Sequence, residues 1–280
     1  MKLLRLGNKG KEKPAVLDKD ENYRDLSSVI DDLNPDTLNF QTIEKIDKLD
    51  LSVLPKLENN NRISTCISKP SKFIGIGLNF SDHATEIGAK SPSEPIIFMK
   101  ATSSINGPDD NIELVSNSKK LDWEVELGIV IGKLTKNINK NQSQDHILGY
   151  CLVNDVSERE WQIENTGQWV KGKSHDTYGP IGPYIVTKDE ISDINNLNMT
   201  LDLNGKRMQT GNTKTMIFNV DMIVSYVSKF MTLCPGDIIT TGTPPGVGMA
   251  KKPQLFLKDG DKLNLKIDYL GEQNSKVVTI

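Results

Sequence analysis

Cysteine and histidine are scarce in this 280-residue chain, with three of each. Cys66, Cys151 and Cys234 are odd in number and far apart, which excludes a disulfide framework or a cysteine-built zinc cluster and fits reduced thiols. With His83, His146 and His175 as the only imidazoles, catalysis has to lean on carboxylates. No apolar run approaches the ~18 residues of a membrane span. The opening MKLLRLGNKGKEKP turns polar after six residues, so it lacks the core of a secretory signal and a cytoplasmic protein is expected. Massed positive charge is missing too. Lysine and arginine number 34 against 37 acidic residues and are spread along the chain, for a net charge of -3, which argues against nucleic acid as a partner.

What remains is an ordinary globular composition, 36% hydrophobic and 25% charged, in a chain long enough for one large domain or a main domain with a small one. Residues 1–66 read as a small N-terminal α+β domain, with strands at MKLLRLG and PAVLD and a weakly helical PDTLNFQTIEKIDKL. A polar linker, LENNNRIS, separates it from residues 67–280. That larger part reads as mixed α/β and β-rich, with strands at FIGIGLNF, EPIIFMK, DWEVELGIVIG, HILGYCLVND, PYIVT, LNMTLDLNG, DIITTG and KLNLKID between turn segments. One helix follows NFSD. Another, VDMIVSYVSKFM, sets Ile223, Tyr226, Val227 and Phe230 toward the core and Ser225 and Lys229 outside.

Several segments carry chemistry. In DWEVELGIVIG the odd positions Trp123, Val125, Leu127 and Ile129 share one strand face, and Glu124 and Glu126 share the other, about 7 Å apart. Such a like-charged pair needs solvent or a cation. Asp155 closes the strand GYCLVND at a corner, where it serves as a ligand or as a helix cap, and Ser157 with Glu160 forms a candidate capping box. Three carboxylates with no cysteine or histidine beside them suit magnesium, manganese or calcium. His83 and Glu86, three apart on a helix, share a face, and the carboxylate would orient the imidazole and raise its basicity. Gly167–Ser174, GQWVKGKS, matches the phosphate-loop pattern in form only. No strand precedes it, and Trp169 and Val170 fill the loop, so Lys173 is kept as a cation in a Gly-bounded turn, able to meet an anionic substrate. Thr240–Gly248, TTGTPPGVG, offers hydroxyls and backbone N–H groups to an anion, or is simply a rigid turn.

Five blocks in order, GLNFSDHATE, DWEVELGIVIGK, GYCLVNDVSEREWQ, KGKSHDTYGPIGP and PGDIITTGTPPGVG, make the sequence resemble the fumarylacetoacetate hydrolase superfamily over about residues 70–280. The resemblance implies a mixed β-roll with a smaller N-terminal domain, paired into a homodimer. It assigns Glu124, Glu126 and Asp155 to a magnesium ion, with manganese or calcium as alternatives, and sets Lys173 against the metal-bound substrate. It makes His83 and Glu86 the water-activating pair of a mobile lid, and Asn79, Arg159, Gln162 and Thr243 substrate contacts, Thr243 for a carboxylate. The implied substrate is a small anionic 2-oxo acid, cleaved between C3 and C4 of a 2,4-dioxo acid to pyruvate- or lactate-type products. The nearest likeness is to bacterial enzymes of 2,4-dioxo-3-deoxy sugar acids such as 2,4-didehydro-3-deoxy-L-rhamnonate or fuconate, relatives of which are labelled ureidoglycolate lyase. A ureidoglycolate lyase, an oxaloacetate decarboxylase and a catalytically silent acid-binding domain are the alternatives.

Overall fold

The computed structural model describes residues 1–58 and 61–280. Asn59 and Asn60, in the expected polar linker, lie outside them. In chain order the strands are β1 (Lys2–Leu6), β2 (Lys13–Leu17), β3 (Tyr23–Asp25), β4 (Phe73–Gly77), β5 (Ile96–Lys100), β6 (Ile105–Asn106), β7 (Ile112–Leu114), β8 (Leu121–Asp122) and β9 (Val125–Ile131). They continue with β10 (Ile147–Asn154), β11 (Ser157–Glu158), β12 (Gly179–Pro180), β13 (Ile185–Thr187), β14 (Asn198–Leu203), β15 (Lys206–Asn212), β16 (Ile238–Thr240), β17 (Lys262–Ile267) and β18 (Gly271–Thr279). The α-helices are short: α1 (Phe40–Asp47), α2 (Ser81–Glu86), α3 (Trp169–Lys173) and α4 (Val220–Val227). Among the described residues no helix is long and apolar enough to cross a membrane. The fold is the β-rich mixed architecture that the strand pattern predicts.

Two sheets carry the structure. Nine strands run in the order β3-β2-β1-β13-β10-β9-β16-β4-β5, so the strands of residues 1–66 continue the main sheet through the β1–β13 pairing. A second sheet, β15-β14-β17-β18-β7, packs on one face of the first. Val125, Leu127, Ile129 and Ile131 of β9 meet Leu201 and Leu203 of β14 and Leu263 and Leu265 of β17 in this core. Each such fully buried aliphatic side chain stabilises the fold by roughly 1.5–3 kcal/mol.

The opposite face of the nine-stranded sheet divides along its strands. Val130 of β9, Cys151 and Val153 of β10, Ile238 of β16 and Phe73 of β4 are buried against Leu3, Val16, Leu26 and Leu33 of the N-terminal segment. Residues two to six positions along the same pleats, Glu126 and Glu124 before Val130, Asp155 after Val153 and Thr240 after Ile238, lie beyond that apolar patch. A sheet covered on both faces explains why β9 ends in the unbroken run Ile129, Val130, Ile131 instead of an alternation.

Three local expectations are corrected. The α4 stripe is Val220, Ile223, Val224 and Val227, whereas Phe230 lies past the helix end, 62% exposed, and stacks on Tyr226 at 5.0 Å, and Ser225 is buried and donates to the Ile138 carbonyl. Ser157 and Glu160 form no capping box: Ser157 sits in β11 and its hydroxyl donates to the Asp155 carbonyl, and a π turn over Glu160–Glu164 follows. Residues 169–173 are a helical turn, not a loop.

Candidate active site

The acidic centre is built from strand register. In the β9–β10 pairing Val153 stands opposite Glu126 and Asn154 opposite Val125, and the Asp155 N–H donates to the Glu124 carbonyl at 2.9 Å. Asp155 therefore lies across from Glu124 on the face that Glu126 shares. One carboxylate oxygen from each of the three lies within 4.8 Å of the others, and all three side chains are buried.

Cations surround two of these carboxylates. Lys173, at the end of α3, donates to Glu124 Oε2 at 2.7 Å and to Asp155 Oδ2 at 2.6 Å. Arg159 Nη2 lies 2.7 Å from Glu124 Oε1, and Lys100 Nζ donates to Asp155 Oδ1 at 2.6 Å. Burial by itself would raise the Glu124 carboxyl, but the charges of Lys173 and Arg159 outweigh it and hold it well below the usual carboxylate range. Lys173 is raised, since Asp155 and Glu124 overcome its desolvation, whereas burial lowers Lys100 despite Asp155.

Glu126 differs from its neighbours. It accepts from the Thr240 hydroxyl and, at 2.8 Å, from the Gly242 N–H, and among the described residues it makes no ion pair with a lysine or arginine. Desolvation together with the negative charges of Asp155 and Glu124 pushes it well above its ordinary value. A buried carboxylate beside two others is stabilised by a cation shared among them. The donor set is all oxygen, and oxygens within 4.8 Å of one another are close enough to share one hard ion, so a divalent cation such as magnesium or manganese fits these residues.

The remaining candidates divide between the cavity and its supports. His83 and Glu86 share one face of α2, with His83 Nδ1 3.0 Å from Glu86 Oε2, which leaves Nε2 free of that contact. Both Glu86 oxygens also accept from the Gly246 N–H, at 3.0 and 3.1 Å, so the helix is fastened to the 240–248 loop. His83, Gln162 and Thr243 line a cavity of about 180 Å³ together with Glu124, Glu126, Arg159 and Lys173. That volume suits a small substrate better than a drug-sized one. Gln162 accepts from Arg159 at 3.0 Å, and the Thr243 hydroxyl donates to the Val125 carbonyl and accepts from Gln209.

Asn79 stands behind the cavity wall: its amide donates to the Phe218 and Thr241 carbonyls and accepts from the Phe218 N–H, pinning the end of β4. His175 stacks on Tyr178 at 5.0 Å and stands outside the cavity lining.

Sequence reasoning missed two charged residues. Lys100 sits on β5 at the parity of Ile96 and Phe98, the one signal that it faces inward. Asp122, fully buried, accepts from Arg159 Nε at 2.9 Å and from the Gly248 and Met249 N–H groups at 2.7 and 3.0 Å, so it orients the guanidinium and holds the far end of the loop. Its partners are up to 127 positions away in sequence, beyond the reach of local pattern.

This β-roll with its carboxylate centre has counterparts among known proteins. The chain belongs to the fumarylacetoacetate hydrolase family, whose profile "Fumarylacetoacetate (FAA) hydrolase C-terminal" matches residues 72–278. A Burkholderia ambifaria protein whose name carries a provisional hydrolase label and no substrate is 53% identical over 274 residues, 98% of this chain and 97% of that protein. The fumarylacetoacetate hydrolase of the psychrophile Exiguobacterium antarcticum superposes with a TM-score of 0.90 at 34% identity, covering 100% of both chains. Maleylpyruvate hydrolase from Sphingobium sp. SYK-6, solved with manganese(II) and pyruvate, gives 0.83 at 26% identity over 100% of this chain and 99% of its own. A 2-hydroxyhepta-2,4-diene-1,7-dioate isomerase from Mycobacterium marinum gives 0.75 at 30% over 100% and 98%. The family thus includes hydrolases and isomerases, and membership supports an enzyme; the ureidoglycolate lyase label has no counterpart among these names.

Proposed function

We propose that this chain is a divalent-metal-dependent hydrolase that cleaves the C3–C4 bond of a 2,4-dioxo acid, releasing pyruvate and a carboxylic acid. The observation that carries the reading is the convergence of Glu124, Glu126 and Asp155 beneath a cavity that His83 also lines. A manganese and pyruvate complex of a related hydrolase supports it.

In this reading Glu124, Glu126 and Asp155 hold the ion, with magnesium as the first choice. When bound, the ion acts as a Lewis acid toward the 2-oxo acid end of the substrate and stabilises the charge that C3 acquires as the bond breaks. Lys173 and Arg159 keep two of the ligands in place and add positive charge for the substrate's carboxylate. His83, held through Nδ1 by Glu86, takes a proton at Nε2 from the water that attacks C4, a contribution of about 10²–10⁴ in rate. The water oxygen stays with C4 as the new carboxylate, and C3 is protonated to give pyruvate. Gln162 and Thr243 complete the polar rim.

Pyruvate release from a simple acylpyruvate, measured with magnesium and then with excess chelator, tests the proposal. Chelator-sensitive release is expected. No release, with metal binding verified by calorimetry, would refute it.

A further inference from the structure

Two chemically different regions line the cavity. Away from the charged groups, its wall is Ile87, Ile96, Phe98, Ile163, Trp169 and Met249. The aromatic pair leads outward from the ions: the Phe98 ring lies 5.1 Å from Lys173 Nζ, and Trp169 packs on Phe98 with centroids 5.5 Å apart.

This wall is built into the strand beneath it. β4 reads Phe73-Ile74-Gly75-Ile76-Gly77, with both isoleucines turned to the inter-sheet core and both glycines to the cavity face. A Cβ on Gly75 would stand 2.1 Å from Phe98 Cζ, and one on Gly77 2.5 Å from Trp169 Cζ3. Glycine weakens a strand interior, so two at alternate positions make sense where flat rings must lie directly on the backbone.

The cations that line the cavity are already engaged. Lys173 serves Glu124 and Asp155, and Arg159 serves Asp122 and Glu124. Among the described lining residues no lysine or arginine is left unpaired to neutralise a second carboxylate, and the Gln162 amide lies beside Arg159 at the charged end. A row of hydroxyls among Ile87, Ile96, Phe98 and Ile163 would lose water without gaining partners.

We infer that the acyl end of the substrate is an uncharged hydrocarbon group, aliphatic or aryl, lying across Phe98 and Trp169. The inference rests on the 2,4-dioxo acid reading above and narrows it away from sugar acids and dicarboxylates. Trp169 also limits length. A second, open groove shares Ile96, Phe98 and Trp169 with the cavity and continues along Ile97, Met99 and Val170. The indole lines both spaces, and its removal is expected to join them.

The test is a kcat/KM series on the magnesium-loaded enzyme. It uses acylpyruvates with linear acyl chains of increasing length, the ω-carboxylate counterpart of one of them, and a polyhydroxylated 3-deoxy-2,4-dioxo acid. Each methylene is expected to raise kcat/KM about fourfold until the chain meets Trp169. The ω-carboxylate is expected to fall roughly a hundredfold or more below its alkyl match. Trp169→Ala should move the optimum to longer chains, and Ile163→Arg, at a half-exposed position, should narrow the ω-carboxylate gap about tenfold. Turnover in which the dicarboxylate or the polyol equals or beats the alkyl substrate overturns this inference and leaves the hydrolase reading standing. No turnover of any acid with metal bound overturns both. An active Trp169→Ala enzyme with an unchanged length profile overturns the role given to the indole.

Discussion

One face of the nine-stranded sheet is used in two opposite ways. Toward the N-terminal segment it carries Val130, Val153, Ile238 and Phe73, packed without solvent. A few residues along the same strands it carries Glu126, Glu124, Asp155 and Thr240, equally buried but charged or polar. Apolar burial releases free energy, whereas burial of three carboxylates costs it unless cations compensate. The first region stabilises the frame on which the second is held.

The comparison is open to direct attack. Glu126→Gln should have the largest effect, lowering activity by about 10³-fold or more and metal affinity by over a hundredfold, read by calorimetry and steady-state rates. Its unfolding midpoint without metal should hold or rise, because a neutral amide avoids the cost of burying a third carboxylate beside Asp155 and Glu124. His83→Ala should lower kcat by about 10²–10⁴ with metal affinity within twofold. A parallel loss of affinity would show that the imidazole serves the ion and not the water. Ile238→Ala, two residues from Thr240, should cost about 2–5 kcal/mol in denaturant unfolding while the metal-loaded enzyme keeps its KM.

The smallest effect concerns the tie between the N-terminal segment and the rest. Arg62 donates to Asp110 at 2.7 Å, and its charge, outweighing burial, keeps the Asp110 carboxyl below its ordinary value. A carboxyl depressed by folding stabilises the protein above its unfolded value of about 4, and that contribution is lost as pH falls through the folded value. The stability gap between wild type and Asp110→Asn should therefore be widest near neutrality and close as the pH falls through the depressed folded value of Asp110. A gap that persists in acid would assign it to packing.

Much of this was legible in advance. Period-two patterning placed Glu124 and Glu126 on a face of their own, and the apolar run after them signalled a strand entering the core. Charge and burial at Lys100 and Asp122 escaped notice because one ionisable residue in an apolar stretch leaves no periodic trace, and partners such as Met249 are chosen by tertiary contact. Patterning also misled where a helix stopped early. Phe230 fits a helical stripe by spacing, yet α4 ends at Val227, and the ring stacks on Tyr226 at the surface. Ser157 and Glu160 have capping-box spacing, but β11 pairing with β8 takes the backbone that a cap would need.

The acidic centre stands on paired strand rungs, whereas Trp169 and Ile87 of the apolar wall sit in α3 and just past the end of α2. Those two wall positions can therefore change over descent without altering the strand rungs that carry the carboxylates. A duplicated copy of this gene could change Trp169 and Ile87 and acquire a new acyl preference while keeping Lys173 and His83 on the same helices and inheriting the ion-holding rungs intact. One scaffold could in this way give rise to a set of enzymes that share a reaction and differ in diet.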